Sequence, residues 1–206
     1  MTRHRSRDDR LTEILDAAAC IVDEQGFAAL TMDEVARRTS LSKGGVYRYV
    51  ANRDALALAL FEVALRSEIE FDADEVLGWG SPVLETLLRL MLHDHHGADE
   101  QRLHRVFLQL LPQTLVKPGF RELKQRLEDA YIARYAPLVL TLLARDGLRP
   151  RAGYEERLLV SMRLAATLME GLTYRMIGGL PHDELEAMCR RFLEAMLTDA
   201  LEGHDA

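Results

Sequence analysis

Residues that announce chemistry are scarce in this chain. Its 206 residues include two cysteines, Cys20 and Cys189. They lie far apart with no metal-ligand spacing, which excludes a disulfide framework or a thiolate metal site and leaves two small hydrophobes. No apolar run approaches the ~20 residues that span a bilayer. The longest candidate, 135–144, is short and contains Pro137, so no membrane segment is expected. The opening MTRHRSRDDR is charged and lacks the apolar stretch of a secretory signal; a cytoplasmic protein is expected. There is no G-x-S-x-G, no P-loop and no dinucleotide-type glycine pattern, and Ser67 and Ser161 have no evident base beside them. The expectation is a protein that is not an enzyme and has no cofactor. The one dense group of metal-capable side chains is His93-Asp94-His95-His96, with His104 beyond. Adjacent helical residues point apart, and only His93 and His96 stand three apart, so the group reads as a polar helix end entering the Gly97 turn, with no metal bound.

What the chain does have is helical periodicity almost throughout. Apolar residues make up 48% and charged residues 29%, as in an ordinary soluble protein. The length allows one or two small domains with real cores. Leu11, Ile14, Leu15, Ala18, Ile21 and Val22 form one stripe. They predict a first helix over 10–25, ended by Gly26, a residue suited to the position after a helix. Helices are also predicted over 32–38, over 43–50 and from the N-cap Asn52 past Ala64. Residues 72–82 contain Gly78, Trp79 and Gly80 and are expected to connect to a second helical region with helices over 83–93, 99–111, 120–145, 154–177 and 182–201. Pro112, Pro118, Gly119, Gly147, Pro150 and Gly153 punctuate that region. Pro137 is expected to kink or interrupt its helix.

Residues 31–60, TMDEVARRTSLSKGGVYRYVANRDALALAL, read as a helix-turn-helix followed by the helix that carries it. Thr31 can cap the first motif helix, with Glu34 reaching back in a capping box. Ser42 is a second N-cap, which puts Lys43, Gly44 and Gly45 in the first turn of a short second helix. Unpaired backbone N–H groups, the positive end of the helix dipole and a lysine together suit a phosphate oxygen. The two glycines cost helix stability, about 1 kcal/mol each, and a reason to keep them is close approach of the backbone to a bulky partner. Val46 and Val50 can close the core, leaving the hydroxyls of Tyr47 and Tyr49 available. The net charge is −7, yet residues 1–55 are neutral, with nine Lys/Arg and nine Asp/Glu. Local neutralisation of phosphates matters for DNA affinity, not total charge. Arg3, Arg5, Arg7 and Arg10 lie in a segment that is either a DNA-contacting arm or a solvated terminus.

This stretch resembles the DNA-binding domain of the TetR family of bacterial repressors. The family pattern runs from a first helix ending in Gly-Phe, through a Thr-capped helix, to Ser-Lys-Gly-x-aliphatic-Tyr-x-His/Tyr-Phe and a Lys/Arg-led helix. Here Gly26-Phe27, Thr31, Leu41-Ser42-Lys43-Gly44, Tyr47, Tyr49 and Asn52-Arg53 stand at that spacing, over about residues 11–65. Val50 replaces the common Phe, and Asp33 stands where several members carry a base-reading arginine. The resemblance implies an all-α protein. A three-helix helix-turn-helix domain would occupy 1–55, with a basic arm at 1–10, and a helical-bundle domain for effector binding and dimerisation would occupy 56–206. It implies a pseudo-palindromic double-stranded operator contacted by Thr31, Arg38, Ser42, Lys43, Gly44, Gly45, Tyr47, Arg48, Tyr49 and Arg53. Gly147-Leu148 and Gly171-Leu172 carry a weaker similarity to effector domains of the family.

The last two helices point to a homodimer. Leu158, Met162, Ala165, Met169, Leu172 and Met176 make a heptad-like seam, and Val160, Leu164 and Leu168 make a second face beside it. A helix apolar on two faces buries one against its own chain and the other against something else. The stripes carrying Met169 and Leu193 are assigned to a four-helix interface between copies; an entirely intrachain core is the other reading. A small-molecule site is expected among Arg102, Phe107, Tyr131, Met162, Arg163, Met169, Glu170 and Tyr174, for a hydrophobic or amphipathic effector. For Arg163 and Glu170 an ion pair is the alternative. The expected function is a ligand-responsive transcriptional regulator, most simply a repressor released by its effector. The rival is an all-α ligand-binding or adaptor protein without operator function.

Overall fold

The computed structural model describes residues 6–69, 71–92 and 98–201. The described residues form helices and no strand beyond an isolated bridge between Pro150 and Leu201. The chain is all-α, as its periodicity predicts. No helix among them is long and apolar enough to cross a membrane.

The helices fall into two compact units, Met1–Ile69 with His95–Leu127 and Glu70–Asp94 with Glu128–Ala206. The first begins with α1 (Arg7–Gln25), α2 (Met32–Arg38), α3 (Lys43–Tyr47) and α4 (Arg53–Ile69). The chain then forms α5 (Ala73–Gly78) and α6 (Val83–Met91) of the second unit. It returns to the first for α7 (Ala98–Leu110), α8 (Gln113–Val116) and the opening of α9 (Pro118–Arg145). The rest of α9, α10 (Tyr154–Ile177) and α11 (His182–Ala200) complete the second. The first compact unit therefore takes in α4, α7, α8 and the start of α9 besides residues 1–55.

Several local expectations need correction. Helix α1 starts at Arg7, three residues before the predicted position. Asp9 N donates to Ser6 Oγ at 3.0 Å while Ser6 N donates to the Asp9 carboxylate at 2.9 Å, a reciprocal box that fixes the first turn. Arg7 and Arg10 are thus helical and not part of a loose arm; Arg3 and Arg5 lie outside the described residues. Helix α3 stops at Tyr47, and Arg48 and Tyr49 form a turn. The expected connector at 72–82 contains α5, whose first N–H groups, from Asp74 and Glu75, donate to Asp72 Oδ1 at 2.9 and 3.2 Å. Six residues are too few to reveal a period, and the same holds for α8. Pro137 does not interrupt α9. It removes one helical donor, the one that the carbonyl four residues back would accept from, and the helix continues through it.

Each unit has its own core. In the first, Phe61 is completely buried and lies between Phe107 and Phe120, with ring centroids at 5.9 and 5.3 Å. Ile14, Leu30, Val35, Val46, Leu56 and Leu60 belong to the same core cluster. Burying each such side chain contributes about 1.5–3 kcal/mol. The second core gathers Leu142, Leu143, Leu158, Leu172, Cys189 and Leu193.

Candidate nucleic-acid interface

Caps and one buried side chain decide how the two motif helices lie. Glu34 N donates to Thr31 Oγ1 at 3.1 Å, starting α2. Gly45 N donates to Ser42 Oγ at 3.1 Å, starting α3. Each cap is worth about 1 kcal/mol. The Glu34 carboxylate does not close the expected box. It accepts from Arg38 Nε at 3.0 Å and also pairs with Arg37. Val46 is completely buried and Val50 nearly so, which seats α3 on the core.

With Val46 inward, the start of α3 faces out. Ser42, Lys43, Gly44 and Arg48 are exposed, and Tyr47 is 45% exposed. The glycines differ in what they do. A Cβ on Gly45 would meet Ser42 Oγ at 3.3 Å and Leu41 Cβ at 3.4 Å, so its own chain demands a small residue there. A Cβ on Gly44 would meet nothing within 4 Å.

The turn between α2 and α3 is tied to α1. The Glu13 carboxylate accepts from Ser40 N and from Ser40 Oγ, both at 2.7 Å, and pairs with Arg10 at 2.8 Å. These hydrogen bonds, led by the Ser40 N–H, pull the Glu13 carboxyl down to about 2. Arg38 reaches Glu24 of α1 at 2.8 Å. Across the motif, Lys43 Nζ stands 2.9 Å from both carboxylate oxygens of Asp33, bringing the first turns of α2 and α3 together. That hydrogen bond raises the Lys43 ammonium above its ordinary range, although both side chains stay more than half exposed.

Of the residues expected to meet DNA, Thr31, Ser42, Lys43, Gly44, Tyr47 and Arg48 form the exposed set around this end of the motif. Tyr49 is half-buried and packs against the core. Arg38 is held between Glu24 and Glu34. Arg53 turns inward: its Nε donates to Leu30 O at 2.5 Å, its Nη2 donates to Phe27 O at 2.8 Å, and the guanidinium lies 4.4 Å from the Phe27 ring centroid. It clamps α4 to the turn at Phe27–Ala29, which Gly26 opens with φ +85°. Glu13 and Arg105 were invisible as ties in the sequence. Arg105 grips Asp23 at 2.6 and 2.9 Å, joining α7 to α1, and nothing local marks a contact between residues so far apart in the chain.

The expected effector residues are divided between the two units. Arg102 and Phe107 belong to the first unit, where Arg102 pairs with Asp99 at 2.7 Å and Phe107 is core. Tyr131, Met162 and Met169 share the second core cluster. Tyr174 is 70% exposed, Glu170 is half-buried, and Arg163 lies 3.5 Å from Asp129. His93, Asp94, His95 and His96 lie outside the described residues, and His104 is buried in α7.

The bacterial regulatory proteins of the tetR family match residues 14–60, which hold the last part of α1, the whole helix-turn-helix and the first half of α4. Over this stretch the chain is similar to the tetR family. It is 33% identical to the A-factor receptor protein of Streptomyces griseus over 34% of this chain and 23% of that one. It is 27% identical to the HTH-type transcriptional regulator BetI of Paraburkholderia xenovorans over 48% and 62%. The chain thus spans less than two thirds of the length of these curated relatives. The fold of the chain also matches a transcriptional regulator of Saccharomonospora viridis crystallised in complex with choline. That likeness has TM-score 0.67 and 17% identity, covering 95% of this chain and 100% of the other. BetI and the Saccharomonospora viridis protein are transcriptional regulators by name.

Proposed function

We propose that this protein is a homodimeric, ligand-responsive transcriptional regulator that acts in the cytoplasm. It occupies a pseudo-palindromic operator and leaves it when a hydrophobic or amphipathic effector binds the second unit. The observation that carries the reading is the outward-facing start of α3. Ser42, Lys43, Gly44 and Tyr47 are exposed together on a helix that the core holds by Val46, and the open space over Gly44 suits a backbone approaching a phosphate. The tetR-family match over 14–60 supports the same assignment.

The homodimer rests on α10. Its Leu158, Met162 and Leu172 are buried within the chain, whereas Val160 and Leu164, on the second apolar face, are 60% and 57% exposed. A second copy of this helix offers the matching surface, and a dimer presents two α3 helices to half-sites about one turn of DNA apart. Leu193, by contrast, serves its own chain's core. For the effector, Tyr131, Met162 and Met169 remain the best-placed of the expected residues, and a relative of the same fold holding choline supports a small organic ligand. The effector acts by favouring a dimer state whose α3 helices no longer match successive grooves. The test is selection of DNA fragments by the purified chain at stated salt. Enrichment of a two-fold related sequence with half-sites one turn apart supports the reading, and no enrichment at low salt removes it.

A further inference from the structure

The cations around the motif are already partnered by carboxylates. Arg10 is held by Glu13, Arg37 by Glu34, Arg38 by Glu24 and Glu34, and Lys43 by Asp33. Arg48, also exposed, has no carboxylate partner among the described residues. Arg10–Glu13, Arg37–Glu34 and Arg38–Glu34 each lie within one helix, and Arg38–Glu24 joins α2 to α1. The Asp33–Lys43 pair differs, because it occupies the face left open for a partner. Lys43 is 53% and Asp33 71% exposed, and the ammonium meets both carboxylate oxygens at 2.9 Å. An exposed pair of this kind contributes little to stability, so folding does not explain it.

We infer that Asp33 is a positioning residue that occupies Lys43 in the free protein, so that phosphate binding at α3 is an exchange of carboxylate for phosphate. This rests on the DNA-binding reading above. A neutral Lys–Asp pair beside DNA neutralises no phosphate charge, and its contribution to the salt dependence of binding is small. Once Asp33 is uncharged, Lys43 neutralises one phosphate and the slope of log K against log salt steepens by about 0.9. Asp33 therefore suppresses binding to any duplex and leaves discrimination to other contacts.

The experiment uses the full chain as wild type, Asp33→Asn, Lys43→Ala and the double variant, with a random-sequence duplex and a selected genomic fragment across a salt series. Asp33→Asn is expected to tighten binding to both DNAs about fivefold, the factor one unit charge a few ångströms away is worth in water. The slope should steepen by about one unit, and the melting temperature should stay at the wild-type value. In the Lys43→Ala background the same substitution should gain almost nothing. An equal gain in both backgrounds overturns the inference, because Asp33 then repels phosphate on its own. A gain confined to one base pair of the selected fragment also overturns it and makes Asp33 a base reader. No change on Asp33→Asn in a protein that binds DNA overturns it as well. If none of the four proteins binds either DNA at low salt, the DNA-binding reading itself fails.

Discussion

The first unit holds a five-residue helix in place with polar groups drawn from distant parts of the chain. Glu13 reaches the turn at Ser40, Arg53 reaches two carbonyls of the Phe27–Ala29 turn, and Arg105 grips Asp23. The second unit also has polar ties, Arg190 to Glu85 at 2.7 Å and Arg157 to Asp199 at 2.9 Å, but these join exposed groups at its rim. Its organisation comes from an apolar cluster, and α10 leaves Leu159, Val160 and Leu164 open beside that cluster. A helix as short as α3 cannot hold itself in water, so the first unit needs directional bonds to aim it. Long helices such as α10 hold their own backbone and need only an apolar partner. The two units thus differ in where specificity resides: in hydrogen-bond geometry in one, in shape in the other.

The contrast predicts where damage is greatest. The first unit's ties are useful only while its core stands, and Phe61 is the centre of that core. Phe61→Ala removes a completely buried ring that touches Phe107 and Phe120 and should cost about 3–5 kcal/mol. For a chain of this size that lowers Tm by roughly 10 °C or more. Calorimetry reads it directly, and a drop of only a few degrees would mean that polar ties, not the core, dominate the first unit.

The next effect falls on the second unit. Leu164→Asp places a charge on the open face of α10 and should leave the fold intact while preventing association, since desolvating a charge costs several kcal/mol. Sedimentation should show monomers for this variant and dimers for wild type. Leu193→Asp, in the interior of the same unit, should instead give insoluble protein. A wild-type monomer at micromolar concentration would leave the open face without its proposed occupant.

How far the sequence could be read follows the same division. The limits of α2 and α10 and the start of α11 came from periodicity and breakers alone, because caps and apolar stripes are local signals. The helix-turn-helix was legible for the same reason: Thr31, Ser42, Val46 and Val50 act within a few residues of themselves. Arg53 shows where locality ends. Its position fits a DNA contact, but its guanidinium finds backbone carbonyls more than twenty residues back. An effector site is less legible, because a pocket in a bundle depends on which turn of each helix faces inward. Phe107 and Tyr174 share a helical apolar pattern, yet one is core and the other is exposed.

A smaller effect tests whether directional bonds aim the motif. Glu13→Gln keeps the shape and removes the charge that Ser40 and Arg10 address, at a cost of about 1–2 kcal/mol. The folded carboxyl sits at about 2, below its ordinary 4.5. Its contribution is therefore complete above pH 4.5 and fades as pH falls toward 2. Melting curves of wild type and variant should be separated by about 2–8 °C near neutral pH and should converge through that acidic window. A separation that persists at the acid end would assign the loss to packing and not to the charge.

The smallest effect is the sharpest test of the line between ties that hold the first unit and groups that wait for a partner. Lys43 makes a geometrically good pair with Asp33, at 2.9 Å against 2.7 Å for the bond from Ser40 N to Glu13 that fixes the turn. Distance alone would rank the two contacts together, and exposure separates them. Glu13 has 19% of its side chain exposed and addresses a backbone N–H, whereas Lys43 and Asp33 are more than half exposed and address only each other. Water competes for the second kind of pair and salt screens it, so Lys43→Ala should change Tm by no more than about 2 °C. Raising the salt should shrink even that small difference. A larger loss that persists at high salt would show that the Asp33–Lys43 contact fastens α2 to α3. The start of α3 would then be part of the motif's internal structure, and the division drawn here between fixed frame and open surface would have to move to Gly44 and Tyr47.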